Sequence, residues 1–487
     1  MGRPYTLLTG ATGLLGRYLV RDLLLAGLPV AVLVRSRRGQ AAADRIESIL
    51  AHWERDARRA LPRPIILEGA LDRAGLGLEA GQTDWVRGHC GRVLHSAASL
   101  RYERDPKDNE PWRTNLEGTQ HLLDLCRDLG IREFHHVSTA YVAGLRTGVV
   151  REDELDAGQE RANAYEESKA AAERAVRASA FLDGVTVFRP SIIVGDSRTG
   201  YTSGFHGFYA PLRVGQALCP KLPAAHGSRF DFLGLFGLQG DEHKNLVPVD
   251  WVSGAISRIV SRPGLHGRTY HLTSPAPVTV LRMQDAFREV LQPLVGRDAA
   301  GANPGTLREL AASLVDQLSA YRPHWRNDPV FDRSSTAAAL PEWSCPVLGH
   351  DQLVALSRFA LDHDFREAGA PLVRAADRAP EWLPEGGRRV GGLEEKDLAV
   401  GLRITGHGGG DWVFQLAGGR LVGGAPGLPS DPAVTFYLSC ETLRKLRSGE
   451  VRSMGALEQG RALVMGRVPL QMDQLSWLLD ALVSGPG

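Results

Sequence analysis

The chain is short of several things, and each shortage narrows what it can do. Cysteine is scarce: five residues, Cys90, Cys126, Cys219, Cys345 and Cys440, lie far apart and form no C-x-x-C pair. An odd, scattered set suits buried thiols in a reducing compartment better than a disulfide framework or zinc. No apolar run approaches the roughly 18 residues a membrane span needs. The first residues enter a strand-like run at once, so no signal peptide is expected, and the expected location is cytoplasmic. Neither sign of charge dominates. The 57 Lys and Arg against 56 Asp and Glu give a net charge of +1, which offers nothing to a nucleic-acid partner. H-E-x-x-H and P-loop sequences are missing, and Gly195-Asp-Ser-Arg-Thr-Gly200 is not a G-x-S-x-G elbow. No metal site is expected.

What remains is an ordinary globular composition, 43% hydrophobic and 23% charged. At 487 residues the chain is too long for one core, so two or three domains are expected. The organising stretch is near the start: a β-rich run from Tyr5 feeds Thr9-Gly10-Ala-Thr12-Gly13-Leu14-Leu15-Gly16. An amphipathic segment follows, with Leu15, Tyr18, Leu19, Leu23 and Leu24 at helical spacing. Strand, glycine turn and helix form the context in which a nucleotide pyrophosphate binds. Gly10 allows the tight turn, Gly13 keeps side chains off the pyrophosphate, and Gly16 lets helix and strand pack closely. The helix start, at Leu14 and Leu15, offers free N–H groups to the phosphates.

Pro29-Val-Ala-Val-Leu-Val34 reads as a second, buried strand. A carboxylate after it would grip a ribose 2′-OH. Here Arg35-Ser-Arg37-Arg38 stands instead, which favours a 2′-phosphate and therefore NADP(H). Arg35 is the first candidate contact and Arg45 the second.

Glu133-Phe-His-His-Val-Ser138 reads as a strand followed by Thr139, and Tyr165 and Lys169 follow on a helix at i, i+4. A phenol ionises near pH 10, and a neighbouring ammonium is expected to pull that value toward neutrality, making Tyr165 an acid/base. A Ser or Thr hydroxyl at the strand end supplies a second hydrogen bond to a substrate oxygen.

The T-G-x-x-G-x-x-G turn, the Tyr165/Lys169 pair, the His95-Ser-Ala97-Ala98 turn and the Asn115-x-x-Gly-Thr119 helix together resemble the extended short-chain dehydrogenase/reductases. The resemblance implies an α/β fold: a Rossmann-type doubly wound parallel sheet with a substrate-binding subdomain. It makes Thr139 the catalytic hydroxyl, with Ser138 as its alternate, and gives Asn115 a part in geometry and proton path. It also places Ala97, Ala98, Lys169, Arg189 and Pro190 beside the cofactor. The gap of about 30 residues before strand three, and Arg189-Pro190-Ser-Ile-Ile-Val-Gly195-Asp-Ser-Arg-Thr-Gly200, resemble the fatty acyl reductase and thioester reductase branch.

Beyond Gly200 the aromatic residues Tyr201, Phe205, Phe208, Tyr209, Phe230, Phe232 and Phe236 suit an apolar substrate or an ordinary core equally well. Asn245–Trp251 and Gly267–Thr273 match late elements of the same family. The expected divisions are 1–280 for the NADP-binding domain, 281–378 for a helical continuation and 390–487 for a third unit. Ala379–Arg389 reads as a linker. The third unit alternates at Leu398–Ile404, Asp411–Leu416 and Ala433–Ser439, then shows a helix, a short Gly460–Gly466 stretch and a last helix. That pattern resembles a sterol carrier protein 2 (SCP2) domain, a small α+β module over a lipid cavity. A packing module without ligand has the same pattern.

The resemblance implies an NADPH-dependent reductase of a lipid-like carbonyl, above all an acyl thioester on CoA or a carrier protein. The chain shows no D-S-L-type phosphopantetheine site, so a carrier would act in trans. A dehydrogenase of sterols, keto-lipids or polyketides would need the same residues, and a non-catalytic cofactor- and lipid-binding protein is the third reading. A homodimer is compatible with the sequence but not specified by it.

Overall fold

The computed structural model describes residues 3–37, 39–222, 231–297, 304–316, 318–366, 388–394, 396–406, 408–429 and 432–483. Arg38, Phe230 and most of the expected linker lie outside these residues. The N-terminal half alternates strand and helix: β1 (Tyr5–Thr9), α1 (Leu14–Leu25), β2 (Val30–Val34), α2 (Ala42–Ala57), β3 (Ile65–Glu68), α3 (Ala80–His89), β4 (Cys90–His95), α4 (Gly118–Leu129), β5 (Glu133–Val137), α5 (Ala164–Arg177) and β6 (Gly184–Pro190). With β7 (Thr269–Leu272) the strands form one parallel sheet in the order β7-β6-β5-β4-β1-β2-β3.

The order reverses between β1 and β4, and such a reversal opens a crevice at the carboxyl ends of the strands. Both faces of the sheet are buried: β1 and β2 are buried at every position, Thr6 and Thr9 included. Leu8 and Val32 face the layer with Tyr18, Leu19 and Trp53. Leu7 and Leu33 face the layer with Trp85, Leu122 and Leu125. This is the Rossmann-type doubly wound sheet that the sequence led us to expect.

A second core gathers distant pieces. Val194, Phe208 and Phe232 share it with the helices Val280–Leu291 and His350–Asp362. Tyr201 goes elsewhere: it packs on Tyr18, Trp53 and His52 in the first core. No helix among the described residues is long and apolar enough to cross a membrane.

The C-terminal unit is a five-stranded sheet: β8 (Leu398–Thr405), β9 (Gly410–Ala417), β10 (Arg420–Pro426), β11 (Val434–Ser439) and β12 (Ala462–Gly466), in the order β10-β9-β8-β11-β12. The central β8–β11 pair is parallel and the other pairs antiparallel, where uniformly antiparallel strands were expected. After β10 the chain crosses back over the sheet, and this lays β11 alongside β8. Trp412, Phe414, Phe436 and Leu479 are buried in its core. The unit docks on the N-terminal domain through β12 and α3. Leu463 joins the apolar cluster of Leu7, Trp85 and Val86, and the Tyr5 hydroxyl donates to the Gly460 carbonyl at 3.0 Å.

Candidate active site

The cleft at the strand reversal starts with the glycine turn. Gly10 has φ +76°, and a Cβ there would lie 2.6 Å from the Ala97 nitrogen. Gly16 is tighter still: a Cβ would sit 1.9 Å from the Gly10 carbonyl oxygen. Gly13 differs, since a Cβ would meet only the Gly10 carbonyl oxygen at 3.4 Å, an ordinary contact. The protein's own packing does not demand glycine there, but a ligand approaching the turn would. Gly13 is the N-cap of α1 and no side chain caps the helix. The first N–H groups, from Leu14 onward, are therefore open to an anion.

A cleft of about 590 Å³ lies over this turn. It brings together seven of the expected cofactor residues: Gly10, Thr12, Gly13, Arg35, Arg45, Ala97 and Ala98. Arg45 donates to the Arg35 carbonyl at 2.6 Å and to the Thr12 hydroxyl at 2.9 Å, bracing the turn against the exit of β2. Arg35 and Arg37 are exposed at the cleft. Leu14 and Leu15 offer it backbone only, their side chains packing with the first core. These groups fit a dinucleotide.

Arg189 is placed differently from expectation. Its side chain is fully buried and forms an ion pair with Glu173 at 2.7 Å. It also donates to the backbone carbonyls of Glu152 and Glu154 at 3.3 and 2.7 Å. A guanidinium buried this deeply needs a carboxylate and several acceptors, and Arg189 spends its donors on the protein itself. Pro190 ends β6, and its carbonyl faces the Thr139 hydroxyl at 3.5 Å.

Thr139 follows β5 and caps a short 3₁₀ turn, accepting from the Tyr141 N–H at 3.2 Å. Its hydroxyl comes near enough to the Tyr165 phenol to oppose the rise in the phenol's pKa. Ser138 is buried beside the Glu173 carboxylate instead, so Thr139 is the hydroxyl that reaches Tyr165. Tyr165 stands in the first turn of α5. That turn is fixed by a reciprocal cap: Asn163 accepts from the Glu166 N–H at 3.0 Å and Glu166 accepts from the Ala162 N–H at 2.8 Å.

Lys169 is 2% exposed and donates to the Val137 carbonyl at 2.7 Å. Burial pushes its ammonium down to about 8, against the pull of Glu173. Burial pushes the Tyr165 phenol up to about 12, with the Thr139 hydroxyl opposing and Glu166 adding to the rise. The expected fall is not seen, because the loss of solvent around the phenol outweighs the influence that opposes it. Asn115 lies in a turn of π-helix. It accepts from the Ser99 N–H at 2.8 Å and donates to the Ser99 carbonyl and the Ser168 hydroxyl at 3.1 and 2.9 Å, tying the β4 exit to α5.

Residues 321–328 complete the surroundings, and nothing in the sequence pointed to them. His324 Nε2 lies 2.9 Å from Glu166 and 3.2 Å from the Asn163 amide. The Tyr321 ring stands 4.7 Å from Tyr102, which is 6.0 Å from Tyr165. Asp328 accepts from the Tyr141 hydroxyl at 2.8 Å and also pairs with Lys244. His324 and Asp328 reach Asn163 and Tyr141 across 161 and 187 residues of chain, beyond the reach of any local motif. Next to them is a small apolar cavity lined by Phe208, Phe232 and Phe236, three of the aromatic residues singled out above.

Comparison with known proteins agrees with this geometry. The family described as "Male sterility protein", an NAD-binding family, matches residues 8–256. The aldehyde reductase lnaA of Aspergillus flavus is 26% identical over 69% of this chain and 34% of its own length. The fatty acyl-CoA reductase wat of Drosophila melanogaster is 25% identical over 51% of this chain and 52% of its own. The chain thus spans about a third to a half of these relatives. The terminal R domain of the myxalamid PKS-NRPS pathway superposes with a TM-score of 0.57 at 26% identity, covering 76% of this chain and 93% of that one. A reductase domain of a Mycobacterium tuberculosis nonribosomal peptide synthetase shares the fold at TM-score 0.53 and 18% identity, over 75% of this chain and 93% of that one. With the match spanning half its length, this chain belongs to the Male sterility protein family of NAD(P)-binding extended short-chain dehydrogenase/reductases, and it is an oxidoreductase.

Proposed function

We propose that the chain is an NADPH-dependent reductase of acyl thioesters, releasing the aldehyde and the free thiol and, with a second hydride, the alcohol. The observation that carries this reading is the Thr139 hydroxyl near the Tyr165 phenol, one helical turn from the buried Lys169, in a chain that also has the glycine-turn cleft and an apolar cavity. The substrate class is supported by a relative described as a fatty acyl-CoA reductase, whose named substrate is a thioester, and by the likeness to a terminal R domain of a PKS-NRPS pathway.

When bound, the dinucleotide supplies the hydride. The protein's residues do the rest. Thr139 and Tyr165 hold the substrate carbonyl oxygen, and Tyr165, neutral at physiological pH, donates the proton that the reduced oxygen needs. Lys169 lies one helical turn along and carries the positive charge on that face. Asn115 keeps α5 in register with the β4 loop. Arg35 and Arg45 would hold a 2′-phosphate, which makes NADP(H) the proposed cofactor.

Two further parts of the reading are also proposals. The C-terminal unit is taken as an SCP2-type lipid module, although its core residues Phe414 and Phe436 would have to part to admit a lipid. A cytoplasmic location is proposed from five cysteines that form no disulfide.

The test is NADPH oxidation by wild type beside Tyr165→Phe, offering acyl-CoA, keto-sterols and keto-lipids. Turnover of acyl-CoA, lost in the variant while NADPH still binds, supports the reading. Turnover of keto-lipids alone moves the assignment to a lipid dehydrogenase. Tight NADPH binding without turnover of any of these overturns the CoA reading and points to a carrier-borne substrate or a binding protein.

A further inference from the structure

The apolar cavity is small, about 80 Å³, where the nucleotide cleft measures about 590 Å³. One side of it adjoins the catalytic set. Ile192, in its lining, follows two residues after Pro190, whose carbonyl faces Thr139. Tyr321, also in the lining, reaches Tyr165 through the Tyr102 ring. A chain attached to a carbonyl at Thr139 and Tyr165 therefore has this cavity beside it.

Aromatic rings wall one side of it. Phe236 meets Trp325 edge-on, with centroids 4.9 Å apart at 81°, and Phe232 at 4.8 Å. Phe232 is backed in turn by Phe287, which has no exposed surface. A wall supported in this way does not yield cheaply. The one ammonium in the lining, on Lys244, is already occupied. It donates to the carbonyls of His324 and Arg326 at 2.9 and 3.2 Å and pairs with Asp328.

We propose that Phe236 and Trp325 set the length of the acyl group. The chain this pocket takes is short: drug-sized ligands need cavities of 300–1,000 Å³, and this one is a fraction of that. The assignment rests on the thioester reading and names the acyl class within it.

The experiment is a length series of straight-chain acyl-CoA, from butyryl to palmitoyl, with NADPH and the full chain. Wild type, Trp325→Ala, Phe236→Leu and Trp325→Phe are compared. Wild type is expected to prefer the shorter chains of the series, with kcat/KM down about tenfold or more at palmitoyl, since misfit of a single methylene costs that much in a rigid pocket. Trp325→Ala and Phe236→Leu should raise palmitoyl turnover about tenfold without raising hexanoyl turnover, and Trp325→Phe should raise it less than Trp325→Ala. Equal wild-type rates at all lengths, or variant profiles parallel to wild type, overturn the assignment. The same lengths offered as free aldehydes read the cavity without the thioester. A length optimum with aldehydes but no thioester turnover removes the thioester reading and keeps the cavity's role. A flat profile with both overturns the cavity's role.

Discussion

Gly13 and Gly16 carry the same residue for different reasons, and substitution separates them. Gly16→Ala forces a methyl into the Gly10 carbonyl and should lower the unfolding midpoint strongly. Gly13→Ala has room in the protein itself and should leave the midpoint within a few degrees while weakening nucleotide binding about tenfold or more, as read by fluorescence titration. Arg189→Met tests the placement of that side chain. It leaves the buried Glu173 with Arg177 as its remaining ion-pair partner, so a loss of about 3–5 kcal/mol is expected in denaturant unfolding.

Lys169 makes a signed pH prediction. Its folded value of about 8 lies below the usual 10.4 of a free lysine, so the unfolded chain holds more protons between them. Stability from this group therefore rises as pH climbs from about 8 to 10, and below pH 8 its burial costs roughly 3 kcal/mol. Urea midpoints of wild type and Lys169→Met across that range should converge with rising pH. At this scale the sequence was legible where chemistry is local: Gly10, Gly16 and the Tyr165/Lys169 spacing follow from one strand and one helix. It was not legible for Arg189, because a strand position alone does not say whether a side chain meets the cleft or a carboxylate on α5.

At the scale of elements, α5 is held at both of its working positions. Its first turn has the Asn163 and Glu166 cap, and His324 leans on that cap from a distant segment. His324→Ala removes the contact to the buried Glu166 side chain. The expected result is a several-fold fall in kcat with the nucleotide affinity unchanged, because the cleft shares none of these residues. Asn163→Ala should cost about 1 kcal/mol of stability through the lost cap.

Elements with a strong period were readable: β1, α1, β2 and α5 carry continuous apolar runs or clear helical faces. Strand β10 was missed, since Gly423 and Gly424 break its alternation and its side chains are mostly exposed. The parallel β8–β11 pairing was missed because strand order is decided by a crossover, which leaves no mark on the strands themselves.

For the molecule as a whole, the C-terminal unit completes a face of the N-terminal domain. Gly81 in α3 comes so close to β12 that a Cβ would lie 2.8 Å from the Val464 carbonyl oxygen. Deleting residues 388–487 would uncover Trp85, Val86 and Tyr5 together, an apolar patch of the kind that drives association. The truncated chain should run as aggregate on size exclusion, where the full chain does not.

A groove of about 1,010 Å³ runs between the two units, and Arg35, Gly69, Ala70 and Asp72 line both it and the nucleotide cleft. The far wall of the groove is Arg403, Tyr437 and Ser439 of the C-terminal sheet. The nucleotide's binding site and the seam between units therefore share masonry. Heat should find no weaker half to melt first: calorimetry should record a single endotherm, and added nucleotide should move all of it upward, the C-terminal unit included.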